Sequence, residues 1–443
     1  MGGGVGSRRW WQRLSRGRWA GASVLALAFL LATVVAALVL DTTPSDLDGF
    51  FWPSAEIAAH GHPLLVYAVR SGEYPDANGP LGLLPLSLVA LVANALGVAG
   101  SLNVRDALAE GVFAVFTLLM AREAVLAVEV GRGRPIRPVA TAIVFLVLPP
   151  LWVTTIGFGH VEEPLELWLM LLGVRLLGRG RTVGAGACLG LAVLTRSLAV
   201  TALIPLVLVL LGERRKRPAA ALLGTAALTV AAGVAPFLIA DRADLVYSLV
   251  TFRSALPIAG GSLWFAMRGA PWAGVVQGDD TWIFLGAAIV LVGVVVVRRR
   301  EPSLAPPRVH GLLAVAAICV PMLAKTTWPY YFLDPCLLAT IWWLGRPCGV
   351  LGWRAAAPLA LALGGGVLGA LDQGLPLAPL PGAITGIAAT VGAAMVIVAL
   401  LVDLIREPAA GIQDGRPRGA DGRVTGRAGP RSGRELTAPL GSG

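Results

Sequence analysis

The stretch Pro80-Leu81-Gly82-Leu83-Leu84-Pro85-Leu86-Ser87-Leu88-Val89-Ala90-Leu91-Val92-Ala93-Asn94-Ala95-Leu96-Gly97-Val98 decides how the rest of the chain is threaded. It is apolar enough to enter a bilayer, yet Pro80, Gly82 and Pro85 crowd its start, and proline breaks an ideal helix. Basic clusters surround it at Arg8, Arg9, Arg13, Arg16 and Arg18, then at Arg132-Gly133-Arg134 with Arg137, and at Arg179 with Arg181. Others follow at Arg214-Arg215-Lys216-Arg217, at Arg298-Arg299-Arg300 and from Arg346 to Arg354. Short loops rich in Lys and Arg stay cytoplasmic. If 80–98 and the next apolar run, 107–128, both crossed, Arg132 and Arg134 would lie outside and every later basic loop would be inverted. If 80–98 is a re-entrant or interfacial element on the outer side, all the basic loops fall inside. The sequence therefore predicts the second arrangement.

Composition sets the class. The 443 residues are 56% hydrophobic and only 14% charged, with a mean hydropathy of +0.75. Repeated runs near the ~20 apolar residues that span a bilayer predict an all-α polytopic membrane protein. The predicted crossings are 19–40, 107–128, 138–158, 164–178, 183–196, 199–212, 218–240, 281–298, 309–325, 330–345, 355–371 and 384–404, about twelve helices with both termini cytoplasmic. The spans 183–196 and 199–212 are short, and fusing them into one broken helix would reverse the later topology. Residues 1–18 form a basic cytoplasmic segment, 19–405 the transmembrane domain, 41–98 its first outer loop, and 406–443 a Gly/Arg/Pro-rich tail that cannot bury a core. The net charge of +10 lies in loops and tails without a basic, aromatic-lined surface, so no nucleic-acid partner is expected. Cys188, Cys319, Cys336 and Cys348 have irregular spacing and no CxxC, which argues against a zinc site or a disulfide framework.

On this topology four polar clusters share the outer face. The first loop carries Asp46 and Asp48 ahead of Phe50, Phe51 and Trp52, a pattern suited to a helix lying in the interface. A carboxylate at the foot of such a helix can act as a general base, or can cap the helix. His60-Gly61-His62-Pro63 reads as turn chemistry rather than a metal pair. The second cluster is Gly159-His160-Val161-Glu162-Glu163-Pro164, suited either to binding sugar or phosphate or to the electrostatics of a helix start. Arg196, alone at an outer helix end, calls for an anionic partner, either a lipid phosphate or Glu162. Lys325 with Trp328, Tyr330 and Tyr331 forms the fourth cluster, readable as an interfacial aromatic belt or as donors around a headgroup phosphate.

These elements resemble a known family. Asp48 through Ala55 to Gly61-His62-Pro63, followed by Tyr74-Pro75 and Asn78-Gly79-Pro80-Leu81, is similar to the opening of the GT-C membrane glycosyltransferases. The likeness is greatest to their actinobacterial polyprenol-phosphate-mannose-dependent branch, the glycosyltransferase family 87-like proteins. Gly159-His160-Val161-Glu162 resembles the second-loop motif, Gly184 to Arg196 the small-residue helix ending in Lys or Arg, and Pro329-Tyr330-Tyr331 a late aromatic motif. The resemblance covers roughly residues 19–345. It implies a GT-C-like bundle and transfer of a hexose, mannose by analogy, from a polyprenyl-phosphate donor to a glycolipid or polysaccharide acceptor. The transfer would occur with inversion at the outer face of the plasma membrane. By motif register Asp48 would be the general base with Asp46 second, and His160, Glu162, Arg196, Lys325, Tyr330 and Tyr331 would hold the donor phosphate and sugar. Glu162 stands where Asp is common and Arg196 where Lys is common. Both changes keep the charge and alter its reach.

No cofactor is expected, because protein cations can neutralise a monophosphate leaving group. The Asp46-x-Asp48 pair is the spacing that keeps a divalent metal under consideration. The rival reading is a transporter or lipid flippase. Such proteins place ionisable residues near the midplane, whereas here Arg122, Glu123 and Arg175 fall near predicted cytoplasmic helix ends and most span interiors are uncharged.

Overall fold

A computed structural model describes residues 21–39, 46–68, 75–258, 262–267, 269–271, 273–298, 304, 307–346 and 382–406. The basic segment 1–18, the predicted crossing 355–371 and the tail beyond Arg406 lie outside the described residues. So do Tyr74 and the residues from Asp41 to Ser45. The described chain is helical throughout, with no strand among its elements.

α1 (Ala22–Val39) packs along α4 (Leu102–Arg132). Between them a π-helical turn, Leu47–Phe51, runs into α2 (Trp52–Ala59), and α3 follows at Pro80–Ala95. α2 stops at Gly61, whose φ of 90° lets His62 N–H reach back to Ile57 O at 3.2 Å and Gly61 N–H to Ala58 O at 3.1 Å. Thus the His-Gly-His segment is a helix stop, as its turn residues predicted. α4 has 31 residues. At 1.5 Å per residue that is about 46 Å, well beyond a ~30 Å hydrocarbon core. Arg105, Asp106 and Glu110 are buried in the first three turns of this helix.

α5 (Pro138–Leu146) and the segment Pro149–Gly157, which contains α6 (Pro149–Trp152), meet at a 56° bend. The straight crossing expected at 138–158 is therefore broken, because Pro149 and Pro150 leave no N–H to continue the helical ladder. Then come α7 (Glu162–Gly178), α8 (Thr182–Thr195), a 3₁₀ turn Ser197–Ala202 leading into α9 (Leu203–Gly212), and α10 (Lys216–Ala240). Short α11 (Arg242–Val246) and α12 (Phe252–Ala255) precede α13 (Ala273–Arg298), α14 (Arg308–Leu323), α15 (Leu333–Gly345) and α16 (Gly382–Arg406). Among the described residues, four helices, α1, α4, α10 and the Asp280–Arg298 part of α13, are long and apolar enough to cross a membrane, and the bent pair makes a fifth if it is one span. α3, α8, Ser197–Gly212 and α14 are shorter apolar helices.

Close contacts give the bundle two distinct ends. At one, a Cβ on Gly131 would fall 2.9 Å from Gly345 O, Arg132 Nε donates to Leu344 O at 2.6 Å, and Arg346 pairs with Asp403. At the other, Leu47 N–H donates to Phe158 O at 3.1 Å and Gly79 N–H to Thr195 O at 3.2 Å. Two threading questions are answered here. A Cβ on Gly186 would lie 2.6 Å from Leu222 O and one on Gly190 2.7 Å from Ala226 O, so α8 and α10 run parallel. The chain must return between them through 197–212, which means that 183–196 and 199–212 do not fuse into one helix. α3 starts at the end where Gly79 meets Thr195. The next helix, α4, also starts there, with Arg105 against Asp48. α3 and α4 thus both begin at the same end of the bundle.

Candidate active site

Convergence at that end begins with the first loop. Asp46 occupies the N-cap position of the π turn, but its φ of −86° and ψ of −31° are already helical and its side chain makes no cap bond. A capping carboxylate needs an extended backbone to fold back on the first N–H groups. Here it reaches across the loop instead, and His160 Nε2 donates to Asp46 Oδ2 at 3.0 Å. The other ring nitrogen, Nδ1, donates to Glu162 Oε1. Burial disfavours the imidazolium, but the Glu162 and Asp46 carboxylates on its two nitrogens outweigh that penalty and raise the His160 pKa to about 10. His160 is thus a cation clamped between two acids.

Glu162 is held from its far side. Asn78 Nδ2 donates to Glu162 Oε1 at 3.0 Å, and the Asn78 segment is itself fixed by Tyr67 Oη donating to Asn78 O at 2.9 Å and Asn78 N–H donating to Asp76 Oδ1 at 3.0 Å. Burial pushes the Asp76 carboxyl well above the usual range; the Asn78 N–H opposes this, Glu162 adds to it and His160 opposes it. Burial also raises the Tyr67 phenol, with Asp76 adding to the effect. Glycine makes the approach of this segment possible. A Cβ on Gly79 would collide with the Leu194 carbonyl, and one on Gly82 would fall 2.7 Å from Thr195 O and 3.2 Å from Glu162 Cβ.

Arg196 pairs differently from the sequence expectation. Its guanidinium lies 2.8 Å from Glu163 Oε1, 3.6 Å from Glu166 Oε2 and 3.8 Å from Asp334 Oδ2, while Glu162 accepts from His160 and Asn78 instead. Helical geometry explains the correction. Neighbours in a helix point ~100° apart, while positions three apart share a face. In α7, Glu163 and Glu166 therefore face Arg196, and Glu162 turns to His160. The same guanidinium stands 5.8 Å from the Tyr330 ring centre and 5.2 Å from that of Tyr331. Tyr330 lies against His160 with centroids 3.9 Å apart, and Phe158 meets both Trp328 and Tyr330 edge-on. These aromatics are packed into the cluster, not spread along an interface as a belt would be.

Asp48 sits beside this constellation with a separate partner. Arg105 of α4 pairs with it and stacks its guanidinium 4.7 Å from the Trp52 ring. The Asp48 side chain keeps 28% exposure and lines an open hollow of about 560 Å³ with Trp52, Glu56, Ile57 and His62. Lys325 belongs to another contact set. Its ammonium donates to Ser254 O at 2.8 Å and to Gln277 O, and its amide donates to Asp280 Oδ2 at 3.0 Å. Thus Asp46, His160, Glu162, Arg196, Tyr330 and Tyr331 form one connected group, Asp48 flanks it, and the Lys325 ammonium bonds elsewhere.

Several members were not singled out from the sequence. Asn78, Asp76, Tyr67 and Arg105 carry no spacing signal. Asp334 and Glu166 had one, an acid in an apolar helix turn, which is costly unless paired. Among the described residues no group of three or more His, Cys, Asp and Glu side chains is arranged to hold a metal ion. Elsewhere in the bundle, Glu123 pairs with Arg175 Nε at 2.6 Å and Arg122 Nη1 at 2.9 Å, so this buried acid is answered by two cations.

A family model described as glycosyltransferase family 87 matches residues 77–327. The match takes in Asn78, His160, Glu162, Arg196 and Lys325, while Asp46, Asp48, Tyr330 and Asp334 lie outside it. No curated protein matches the chain.

Proposed function

Because the chain belongs to glycosyltransferase family 87, we propose that it transfers a hexose, mannose in the first instance, from a polyprenyl-phosphate donor to a glycolipid or polysaccharide acceptor, with inversion. The bundle then crosses the plasma membrane about twelve times, with its basic end and both termini in the cytoplasm and the cluster around His160 at the outer face. The observation that carries this reading is the convergence of Asp46, His160, Glu162, Arg196 and Tyr330 at one end, next to the hollow that Asp48 lines.

In the mechanism, the acceptor hydroxyl enters the hollow and Asp48 takes its proton. Arg105 pairs with that carboxylate and fixes its direction. The acceptor oxygen attacks the anomeric carbon as the bond to the phosphate oxygen breaks. Negative charge grows on the departing polyprenyl phosphate, and a preorganised cation facing it lowers the barrier. His160 has both ring nitrogens committed to Asp46 and Glu162, so it acts by holding those carboxylates and the Tyr330 ring in position beside the donor. Arg196 acts on the same group through the tyrosines, because its charge already answers three acids. Lys325 ties the loop before Tyr330 to α12 and α13 through carbonyls.

The experiment reconstitutes the protein in liposomes with labelled polyprenyl-phosphate mannose and a lipid acceptor. Transfer of label to the acceptor is expected. Movement of the donor across the bilayer without transfer would favour the flippase reading instead.

A further inference from the structure

The hollow beside Asp48 holds more than a base requires. Leu47–Phe51 and α2 form one continuous helical run, because Phe51 and Trp52 both keep right-handed helical angles across the junction. Asp48, Trp52, Glu56 and His60 recur every fourth residue along it and share one face. All four line the hollow of about 560 Å³, with Pro53 and Ile57 beside them. Trp52 Nε1 donates to Glu56 Oε1 at 2.8 Å, which fixes the direction of that carboxylate. His60 Nδ1 lies 2.7 Å from Glu56 O. A carbonyl only accepts, so Nδ1 carries the proton, and the neutral ring is left with Nε2 as an acceptor. From Asp48 to His60 the run rises about 18 Å, at 1.5 Å per residue. The hollow is thus walled by a row of hydrogen-bond acceptors that leads away from the base.

We propose that this row binds an uncharged oligosaccharide acceptor, with Glu56 and His60 holding its second sugar ring while a hydroxyl of the terminal ring meets Asp48. The inference rests on the transferase reading and names the acceptor class within it. A row of acceptors calls for a ligand rich in donors, and the two oxygens of a carboxylate take a pair of adjacent hydroxyls. A peptide offers its backbone N–H groups singly and matches that pairing less well. Pro53 and Ile57 give the C–H face of a pyranose an apolar neighbour. About 18 Å is more than one ring spans, so a single sugar leaves part of the row unused. Two carboxylates on one face repel a phosphate, and Arg105, which touches Trp52, answers Asp48 and Asp106. In the transfer, the terminal ring's hydroxyl oxygen bonds to the anomeric carbon of the donor, its proton passes to Asp48, and the bond to polyprenyl phosphate breaks. The acceptor already contains a glycosidic bond, so another glycosyl transfer precedes this one.

The test measures kcat/KM for transfer of label from polyprenyl-phosphate mannose by the full-length protein in liposomes. The acceptors are methyl mannoside, its mannosyl-extended disaccharide, the same disaccharide phosphorylated on the inner ring, and a threonine peptide. The disaccharide should exceed the monosaccharide at least roughly tenfold, the worth of one charge-assisted hydrogen bond or two. The phosphorylated disaccharide should fall to the level of the monosaccharide or below. In Glu56→Gln/His60→Ala the disaccharide-to-monosaccharide ratio should shrink to roughly threefold or less. That ratio does not depend on how much of the variant folds. Equal values for the two sugars in the wild type, an undiminished ratio in the variant, or preference for the phosphorylated sugar or the peptide would overturn the proposal and leave the transferase reading standing. So would transfer to a lipid acceptor with none to either sugar. Absence of transfer to every acceptor, lipid included, would remove the transferase reading and this inference together.

Discussion

Arg196→Met tests the buried charge cluster in which one guanidinium faces three acids. The arginine side chain is only 4% exposed and faces Glu163, Glu166 and Asp334 at 2.8, 3.6 and 3.8 Å. With an effective dielectric of ~20, each attraction is about 4–6 kcal/mol before desolvation and acid–acid repulsion are subtracted. Removing one partner of a buried ion pair leaves a net loss of about 3–5 kcal/mol, because the remaining acids stay buried without their counter-charge. At ~2 °C per kcal/mol for a large domain, the thermal transition should fall by about 6–10 °C. Tryptophan fluorescence of the detergent-solubilised protein, which has 13 tryptophans, reads this directly. Arg196→Met/Glu166→Gln removes one unpaired acid and should recover part of the loss. A transition within ~2 °C of wild type for the single variant, or no recovery in the double, would refute the view that Arg196 holds this cluster together.

Other consequences concern the neighbouring groups. His160→Gln removes the cation between Asp46 and Glu162 and should lower kcat by roughly 10²-fold in the reconstituted assay, with KM changed much less. The raised His160 pKa stabilises the fold fully below pH ~6.5, less as pH rises toward 10, and not at all above it. The wild type should therefore lose stability relative to His160→Gln across that window, and parallel pH profiles would contradict the assignment. Gly79→Ala drives a methyl group into the Leu194 carbonyl. It should destabilise by about 1–3 kcal/mol and lower activity by shifting Asn78, whereas Gly100→Ala, with open space around it, should be neutral. Asn78→Ala frees one side of Glu162 and should reduce kcat about tenfold while leaving the expression level unchanged.

The all-helical, apolar class was legible because it follows from where charge can sit. Arginines flanking 80–98 led to the expectation that this segment stays on one side, and in the structure α3 and the helix that follows it begin at the same end. The bend at Pro149 was visible as a proline pair but not weighed against the apolar pattern around it. Site residues were legible where a charge interrupts an apolar run, as at His160, Glu162 and Arg196. Their pairing was not, because it depends on which face of α7 turns toward α8. One residue of helical phase sends Glu162 to His160 and Glu163 to Arg196. Asn78 stood within the family motif without an assigned role, and Arg105 escaped notice, for a different reason: an amide in a loop and an arginine beside an aspartate look ordinary until a glycine contact or a long helix brings them to the cluster.

The measurement that bears most directly on the proposed chemistry compares Asp48→Asn with Asp46→Asn in the same liposome transfer assay. If Asp48 is the base, its amide variant should lose about 10³-fold in kcat while retaining donor binding. Asp46→Asn, which weakens the support of His160, should lose roughly ten- to a hundredfold. Full activity of Asp48→Asn with Asp46 intact would contradict the account and move the catalytic role away from the hollow that Asp48 lines.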